Sequence, residues 1–138
     1  MRYRLRGEGG QALLELALAL PALLVLVMGL VTFFYLHVGI SYGFQAAREA
    51  ARCYAITRDE GEAVAVAAKT MRVVARMVEF DPARDIDFDV DGEYVTASVT
   101  SWVPNLLPVG GRPVEGGDPG TTYLRVGGAA TFRLEPTG

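Results

Sequence analysis

The chain has 138 residues, of which 51% are hydrophobic and 21% charged, and its formal net charge at pH 7 is −3. The negative balance argues against nucleic acid as a partner, and the length leaves room for one small domain beside a hydrophobic segment. Cys53 is the only cysteine and His37 the only histidine, which excludes an internal disulfide and a metal site built on histidines. We expect Cys53 to pack as a small hydrophobe, with an intermolecular bridge as the alternative.

The N-terminal region combines a basic start with a long apolar run. Residues 1–10 contain three arginines and one glutamate, and the 25 residues from Leu16 to Ile40 carry no formal charge. At about 1.5 Å per residue in a helix, this run is long enough to cross a hydrocarbon core of about 30 Å. Because positive charge beside a span tends to stay in the cytoplasm, we expect residues 1–10 there and the outer domain on the other side.

Two kinds of processing are compatible with this beginning. A secretory signal peptide has a shorter apolar stretch that ends in a small-residue cleavage site, and the nearest approach to such a site is Gly39-Ile40-Ser41. The other kind is suggested by the spacing of Gly10 and Glu15, since Glu15 is the fifth residue after Gly10. This spacing favours a cut after Gly10, on the cytoplasmic side, that keeps the hydrophobic helix.

Glu15 gives the membrane end of the helix a specific charge. A cut after Gly10 exposes an α-amine on Gln11, and Glu15 lies one helical turn further on, within reach of that amine or of the amine of a neighbouring subunit. An unpaired carboxylate facing lipid costs on the order of 2.5 to 3.5 kcal/mol at mid-membrane and less near the edge, so pairing favours association. The alternative is that Glu15 lies at headgroup depth and reaches water.

A ridge of small residues begins where the apolar run ends. Its members recur at every fourth position and comprise Gly39, Gly43, Ala47, Ala51 and Ala55. Small side chains let two packed elements approach closely, so we expect the ridge to pack against another subunit or against the chain's own outer domain. Arg48, Glu49 and Arg52 lie on the opposite side and are expected to form a solvated face with a weak contact between Glu49 and Arg52.

The remaining sequence predicts an α+β domain in which one helix packs on a short antiparallel sheet. Apolar residues recur at helical spacing between Asp59 and Glu79, which predicts the helix. Residues 104–120 contain many prolines and glycines and are expected to form a mobile surface loop. Within that loop, Leu106, Leu107 and Val109 form either a docking patch or a cover for the open end of the sheet.

Two strand pairs are predicted. Residues 85–91 alternate strictly between aspartate and apolar side chains. A two-residue turn at Asp91-Gly92 places Ile86 opposite Ala97 and Phe88 opposite Val95. A further strand pair, at about residues 121–135, is split by Gly127-Gly128 as a bulge or as a turn.

The aspartates of the first strand copy the first half of a calcium-binding loop, in the order Asp87, Asp89, Asp91-Gly92. The position of the bidentate glutamate holds Ser98, and the intervening Phe88 favours burial, so a solvent-facing strand edge is preferred. We therefore predict no metal and no other cofactor. Since no nucleophile and base form a recognisable pair, an enzyme is not expected either.

Several segments carry a family resemblance: RGEGGQALLE at 6–15, the Leu-rich stretch broken by Pro21, QAAREAAR at 45–52, VTASVT at 95–100, PNLLP at 104–108 and FRLE at 132–135. With these features the chain resembles type IV pilin-like precursors, and specifically the TadE-like family of pseudopilins from tight-adherence pilus systems. The resemblance is most specific over the first fifty or so residues. The later strands add less, because alternating sequences are common.

The resemblance implies a processing site at Gly10 and Gln11 and a role in building an adhesive pilus. The expected partners are a prepilin peptidase, other pilin-like subunits, the pilus assembly machinery and membrane lipid. Residues 1–10 are then a cytoplasmic leader, 11–57 a transmembrane and stalk helix, and 58–138 the outer domain. Because Gly9 and Gly10 are consecutive, the cut could follow either glycine. Only a cut after Gly10 makes Glu15 the fifth residue of the processed chain. The alternative is an uncleaved single-pass anchor that displays a small binding domain.

Overall fold

The computed structural model describes residues 5–107 and 109–136, with side chains from Gly10 onward, and it has the α+β class that the sequence predicts. The helices are α1 (Leu5–Thr57), α2 (Glu60–Met71) and the short α3 (Pro82–Asp85), and a single 3-10 turn covers Arg72–Val74. The strands are β1 (Ile86–Asp91), β2 (Tyr94–Pro104) and β3 (Tyr123–Arg133). They form one antiparallel sheet in the order β1-β2-β3.

Helix α1 has two halves with different surroundings. The leucines from Leu13 to Leu30 are 49–71% exposed, so the first half stands clear of the rest of the described chain. From Thr32, which is buried, to Thr57 the helix packs against β2, β3 and α2. Contact with the domain thus begins within the apolar run, well before Ile40, because the later turns of that run contribute to the domain core.

Helix α1 covers the sheet. The sequence suggested instead that the helix of the outer domain, which is α2, would do so. The second half of α1 packs against the sheet and against α2, and most tertiary contacts of α2 are with α1. Four alanines of α1 are completely buried there, namely Ala46, Ala47, Ala50 and Ala51. Their small side chains let both neighbours approach closely. Residues 32–57, which the sequence assigned to the end of the membrane span and to the stalk, therefore supply part of the domain core.

Helix α2 begins as predicted but ends early. Asp59 caps it, because its side chain accepts a hydrogen bond from the backbone N–H of Glu62 at 3.1 Å. The α-helix ends at Met71, although the apolar pattern continues to Glu79. Glu79 exchanges two backbone hydrogen bonds with Trp102 of β2, at 2.7 and 2.9 Å. Such pairing requires an extended backbone, so the chain has to leave the helical conformation first.

The β1–β2 hairpin forms with a different register from the predicted one. Phe88 lies opposite Ala97 and Val90 lies opposite Val95, which shifts the partners by two residues. The turn consists of Gly92 and Glu93, and Gly92 has a φ of +58°. Hairpin turns with glycine at the first central position are common, and this one uses the positive φ there. A shift of two residues preserves the faces, so Phe88 still faces the core.

Strand β3 continues through the two glycines without a bulge or a turn. Gly127 pairs with Thr100 and Gly128 with Val99 in one regular ladder, which corrects the predicted split. A Cβ added at Gly128 would lie 2.5 Å from the backbone nitrogen of Phe44 in α1. Gly128 is therefore required for the close approach of helix and sheet. Glycine within a strand often marks such a place, where another backbone comes close.

Asp85 ends α3 and lies outside the strand in which the sequence placed it. It is 5% exposed, and its carboxylate pairs with Arg84 at 2.7 Å. The same carboxylate accepts hydrogen bonds from the Trp102 indole at 3.1 Å and from the Asp81 backbone N–H at 2.9 Å. Arg84 donates twice to this carboxylate, so it has four donors in all, and the Trp102 indole is the one that ties α3 to β2.

Candidate functional site

The predicted processing site lies on the exposed first half of α1. The helix begins at Leu5 and continues without interruption through Gly10 and Gln11. Among the described residues, no atom beyond the helix's own nearby backbone lies within 4 Å of the position where a Cβ on Gly10 would stand. Residues 1–4 and the side chains of residues 5–9 lie outside the part of the chain that is described.

Glu15 is placed for pairing with a group one turn before it. Its carboxylate accepts a hydrogen bond from the side-chain amide of Gln11 at 3.2 Å, and both side chains are exposed. The Gln11 backbone nitrogen, which becomes an α-amine after a cut at Gly10, lies on the same turn as that amide. No other Asp, Glu, Lys or Arg occurs between Gly10 and Ala47. Glu15 is therefore the one strong charge of an otherwise neutral helical segment.

The first half of α1 has the dimensions of a membrane span. Helix α1 between Gly10 and Thr57 contains an 18-residue window with a mean hydropathy of 2.6, long and apolar enough to cross a membrane. The exposed segment from Gly10 to Val31 is about 33 Å long at 1.5 Å per residue, close to the roughly 30 Å of a hydrocarbon core. The helix continues through Pro21, whose missing N–H leaves the Ala17 carbonyl without its usual helical donor.

The small-residue ridge packs against the chain's own sheet, which is one of the two alternatives that the sequence left open. A Cβ on Gly39 would lie 2.9 Å from Val126 and 3.0 Å from Val103, and a Cβ on Gly43 would lie 3.4 Å from the backbone nitrogen of Gly128. The alanines of the ridge, Ala47, Ala51 and Ala55, are at most 3% exposed. This side of α1 is therefore occupied within one molecule.

The charged side of α1 is exposed, but its contact differs from the predicted one. Glu49 was expected to contact Arg52. Instead, it accepts a hydrogen bond from the Thr70 hydroxyl at 2.6 Å, which ties α1 to α2. Arg48 and Arg52 are exposed. Cys53 is partly buried and free, with its sulfur 4.0 Å from the Thr57 hydroxyl.

The first part of the loop after β2, which the sequence predicted to be a mobile segment, carries several hydrogen bonds. Asn105 is buried, and its side-chain amide donates to the carbonyl oxygens of Val109 and Gly110 at 2.9 and 3.1 Å. The Leu106 N–H donates to the Thr32 hydroxyl of α1 at 3.4 Å. Pro108 lies outside the described residues. Sequence reasoning assigned no contact to Thr32 or to Asn105, because the partners of both side chains are set by the fold.

The acidic strand offers no metal site in the part of the chain that is described. Asp87, Asp89 and Asp91 are all exposed on β1. Among the described residues, no group of three or more His, Cys, Asp or Glu side chains is placed to hold a metal ion. Strand β1 therefore presents a solvated acidic surface.

The geometry thus brings together an exposed apolar helix, one carboxylate near its N-terminal end, and a domain whose core includes the rest of that helix. Comparison of the sequence with protein-family models gives no match. No curated protein and no solved structure matches the chain either.

Proposed function

We propose that this chain is a TadE-like pseudopilin of a tight-adherence pilus system. In this proposal, residues 1–10 remain in the cytoplasm and are removed after Gly10 by a prepilin peptidase. The exposed half of α1 crosses the cytoplasmic membrane, and the α+β domain lies outside, where it contributes to pilus assembly and surface adhesion. Its partners are other pilin-like subunits, the assembly machinery and membrane lipid.

One observation carries the proposal: the same helix is exposed and apolar in its first half and buried in its own domain in its second half. A secretory signal cut near Gly39-Ile40-Ser41 would divide α1 inside the packed region. It would also remove Tyr35, Leu36 and Val38, which pack against the core. A chain that needs this helix to complete its core has a physical reason to keep it. Processing before the apolar segment, at Gly10, leaves the whole core intact.

Glu15 supports the assembly role through charge. A carboxylate near the N-terminal end of a span is costly when unpaired, and Gln11 now provides only a neutral amide at 3.2 Å. After a cut at Gly10, the α-amine supplies the opposite charge, either within the subunit or to its neighbour. The carboxylate is also suited to the positive end of the shortened helix. Pairing between neighbours then favours association of subunits.

An uncleaved single-pass anchor is the second candidate. The continuous helix from Leu5 through Gln11 favours it, because no break in α1 marks the proposed cut. In that case the domain is displayed at the membrane surface as a binding module, and Glu15 serves no amine. The two candidates differ in the N-terminal residue of the protein and in the effect of losing Glu15.

The test is substitution of Glu15 in the native host, with Leu16→Ala as the matched control. Leu16 is the next residue and is 59% exposed, so its truncation alters lipid contact but no charge. We expect Glu15→Ala to leave leader removal intact and to lower pilus formation about tenfold if pairing contributes about 1.4 kcal/mol. Glu15→Asp should give an intermediate result. Unchanged pilus formation by a Glu15→Ala protein that is made and processed normally would contradict the pairing role.

A further inference from the structure

We propose that the foot of the outer domain docks on the membrane surface, with Leu106 and Val109 entering the boundary between lipid headgroups and acyl chains. The foot is the segment 105–107 and 109–111, which follows β2. This inference rests on the proposed membrane span of α1, and it is independent of the pilus role. It gives the domain a fixed height and tilt above the bilayer.

The first step is the position of the foot along α1. The Leu106 N–H donates to the Thr32 hydroxyl, and Thr32 is the first buried residue after the exposed helical segment. That exposed segment ends at Val31 and is about 33 Å long, which matches the hydrocarbon thickness. When Gln11 lies at one edge of the hydrocarbon, Thr32 lies at the other. The foot is therefore at interfacial depth.

The second step is the character of the exposed surface at this level. Val109 is 71% exposed and Leu106 is 37% exposed, while Phe33 and Phe34 of α1 are 68% and 54% exposed. Residues 105–111 contain no charged side chain, and the first charge after them is the exposed Arg112. Apolar area removed from water contributes about 25 cal/mol per Å². Because the hydrogen bond to Thr32 holds Leu106 beside α1 where its exposed segment ends, the lipid around that segment is the occupant we propose.

The third step is that the foot is built to hold its apolar side chains outward. The buried Asn105 side chain donates to the Val109 and Gly110 carbonyls, and its own oxygen accepts from the Leu107 N–H at 3.1 Å. These bonds stabilise the turn around Asn105 in a conformation in which the Val109 side chain is exposed. The exposed Arg112 adjoins this surface, and its positive charge attracts anionic lipid headgroups.

The test uses the full-length protein in vesicles of phosphatidylcholine and phosphatidylglycerol. In a Cys53→Ser background, single cysteines replace Val109, Val90 or Leu20 and carry an environment-sensitive fluorophore. Lipids with a nitroxide near the headgroup end of the acyl chain serve as the quencher. Val90 is the matched control, because it is also an exposed valine, at 47%, but it lies at the far end of the sheet. Leu20 reports whether α1 is in the bilayer.

We expect the label at position 109 to be quenched roughly threefold or more above the label at 90, since β2 separates the two positions by about 30 Å. The label at position 20 should also be quenched, by lipids that carry the nitroxide deeper in the chain. Equal, weak quenching at 109 and 90 with strong quenching at 20 would overturn the foot proposal and leave the span in place. Absence of quenching at 20 and 109 would overturn both the span and the docking.

Discussion

A single buried carboxylate shows how residues of one sequence pattern take different roles. Asp85 looks like the first member of the aspartate series that continues with Asp87 and Asp89, but it is buried while they are exposed. Burial acts to raise the pKa of Asp85. Hydrogen bonds from Arg84, the Asp81 backbone and Trp102 outweigh burial, so its pKa lies below the ordinary value. Alternation alone does not reveal this, because the donors come from α3 and β2.

Asp85→Asn should therefore destabilise the outer domain, by about 2 kcal/mol at neutral pH, because it weakens the hydrogen bonds that the charged carboxylate accepts. A lowered pKa in the folded state means that the stabilisation is present above the unfolded pKa of about 3.9 and is lost as pH falls through the folded value. The wild type should lose this stability below about pH 4, whereas Asp85→Asn should lose less over the same range. Fluorescence of Trp102, the only tryptophan, follows unfolding of the full chain in detergent micelles. Parallel pH profiles for the two proteins would contradict this role.

Substitution of Ser101 is predicted to increase stability, in contrast to substitution of Asp85. Its side chain is 0% exposed, and its hydroxyl has no hydrogen-bond partner among the described residues. An unpaired buried hydroxyl is costly, so Ser101→Ala should raise the free energy of unfolding by about 1 kcal/mol. The control is Thr131→Ala, which removes a hydroxyl paired with Thr96 at 2.8 Å and should lower it by about 0.5 kcal/mol. A loss of stability in Ser101→Ala would show that the hydroxyl has a partner in solution.

At the level of elements, the α1–β3 contact depends on glycine. The backbone of Gly128 lies so close to Phe44 that even a methyl group would meet backbone atoms at 2.5 to 2.7 Å. The sequence marked Gly127-Gly128 as a break, because glycine in a strand commonly signals a bulge or a turn. The glycines instead serve a contact between segments more than eighty residues apart. Local pattern carries no information about such a contact.

Gly128→Val should separate β3 from α1 and destabilise the domain by about 3 kcal/mol or more, because backbone atoms of both elements would have to move. Ala129→Val is the matched control, since Ala129 is the next residue and faces solvent, and it should change stability by no more than about 0.5 kcal/mol. Denaturant midpoints of the two variants, followed by Trp102 fluorescence, give the comparison. Similar midpoints would show that helix and sheet are not in close contact at Gly128.

Elements with strong periodicity were predictable, and their ends and partners were not. The long helix, the start of α2 at Asp59, and the strand after Asp85 all follow from patterns within one segment. The hairpin register was off by two residues, because the faces remain the same when Phe88 moves from Val95 to Ala97. The early end of α2 depends on the pairing of Glu79 with a distant strand, which no local pattern contains.

For the whole molecule, the sequence identified the exposed apolar helix and Glu15 but not the arrangement around them. The ridge at Gly39 and Gly43 was recognisable as a packing surface, although its partner required the position of β3. The foot of the domain was recognisable only as apolar residues in a loop. Its place beside Thr32 comes from a contact between residues 74 positions apart. Helix α1 is therefore both the proposed membrane anchor, through its first half, and part of the core of the outer domain, through its second half.

The N-terminal residue of the protein purified from membranes of its native host tests this account most directly. Intact mass and N-terminal sequencing should show Gln11, because a cut after Gly10 removes the basic leader while it preserves the span, Glu15 and the helical wall of the core. A protein that begins at Met1 would contradict processing and favour a plain anchor. A protein that begins near Ser41 would contradict the retained helix itself.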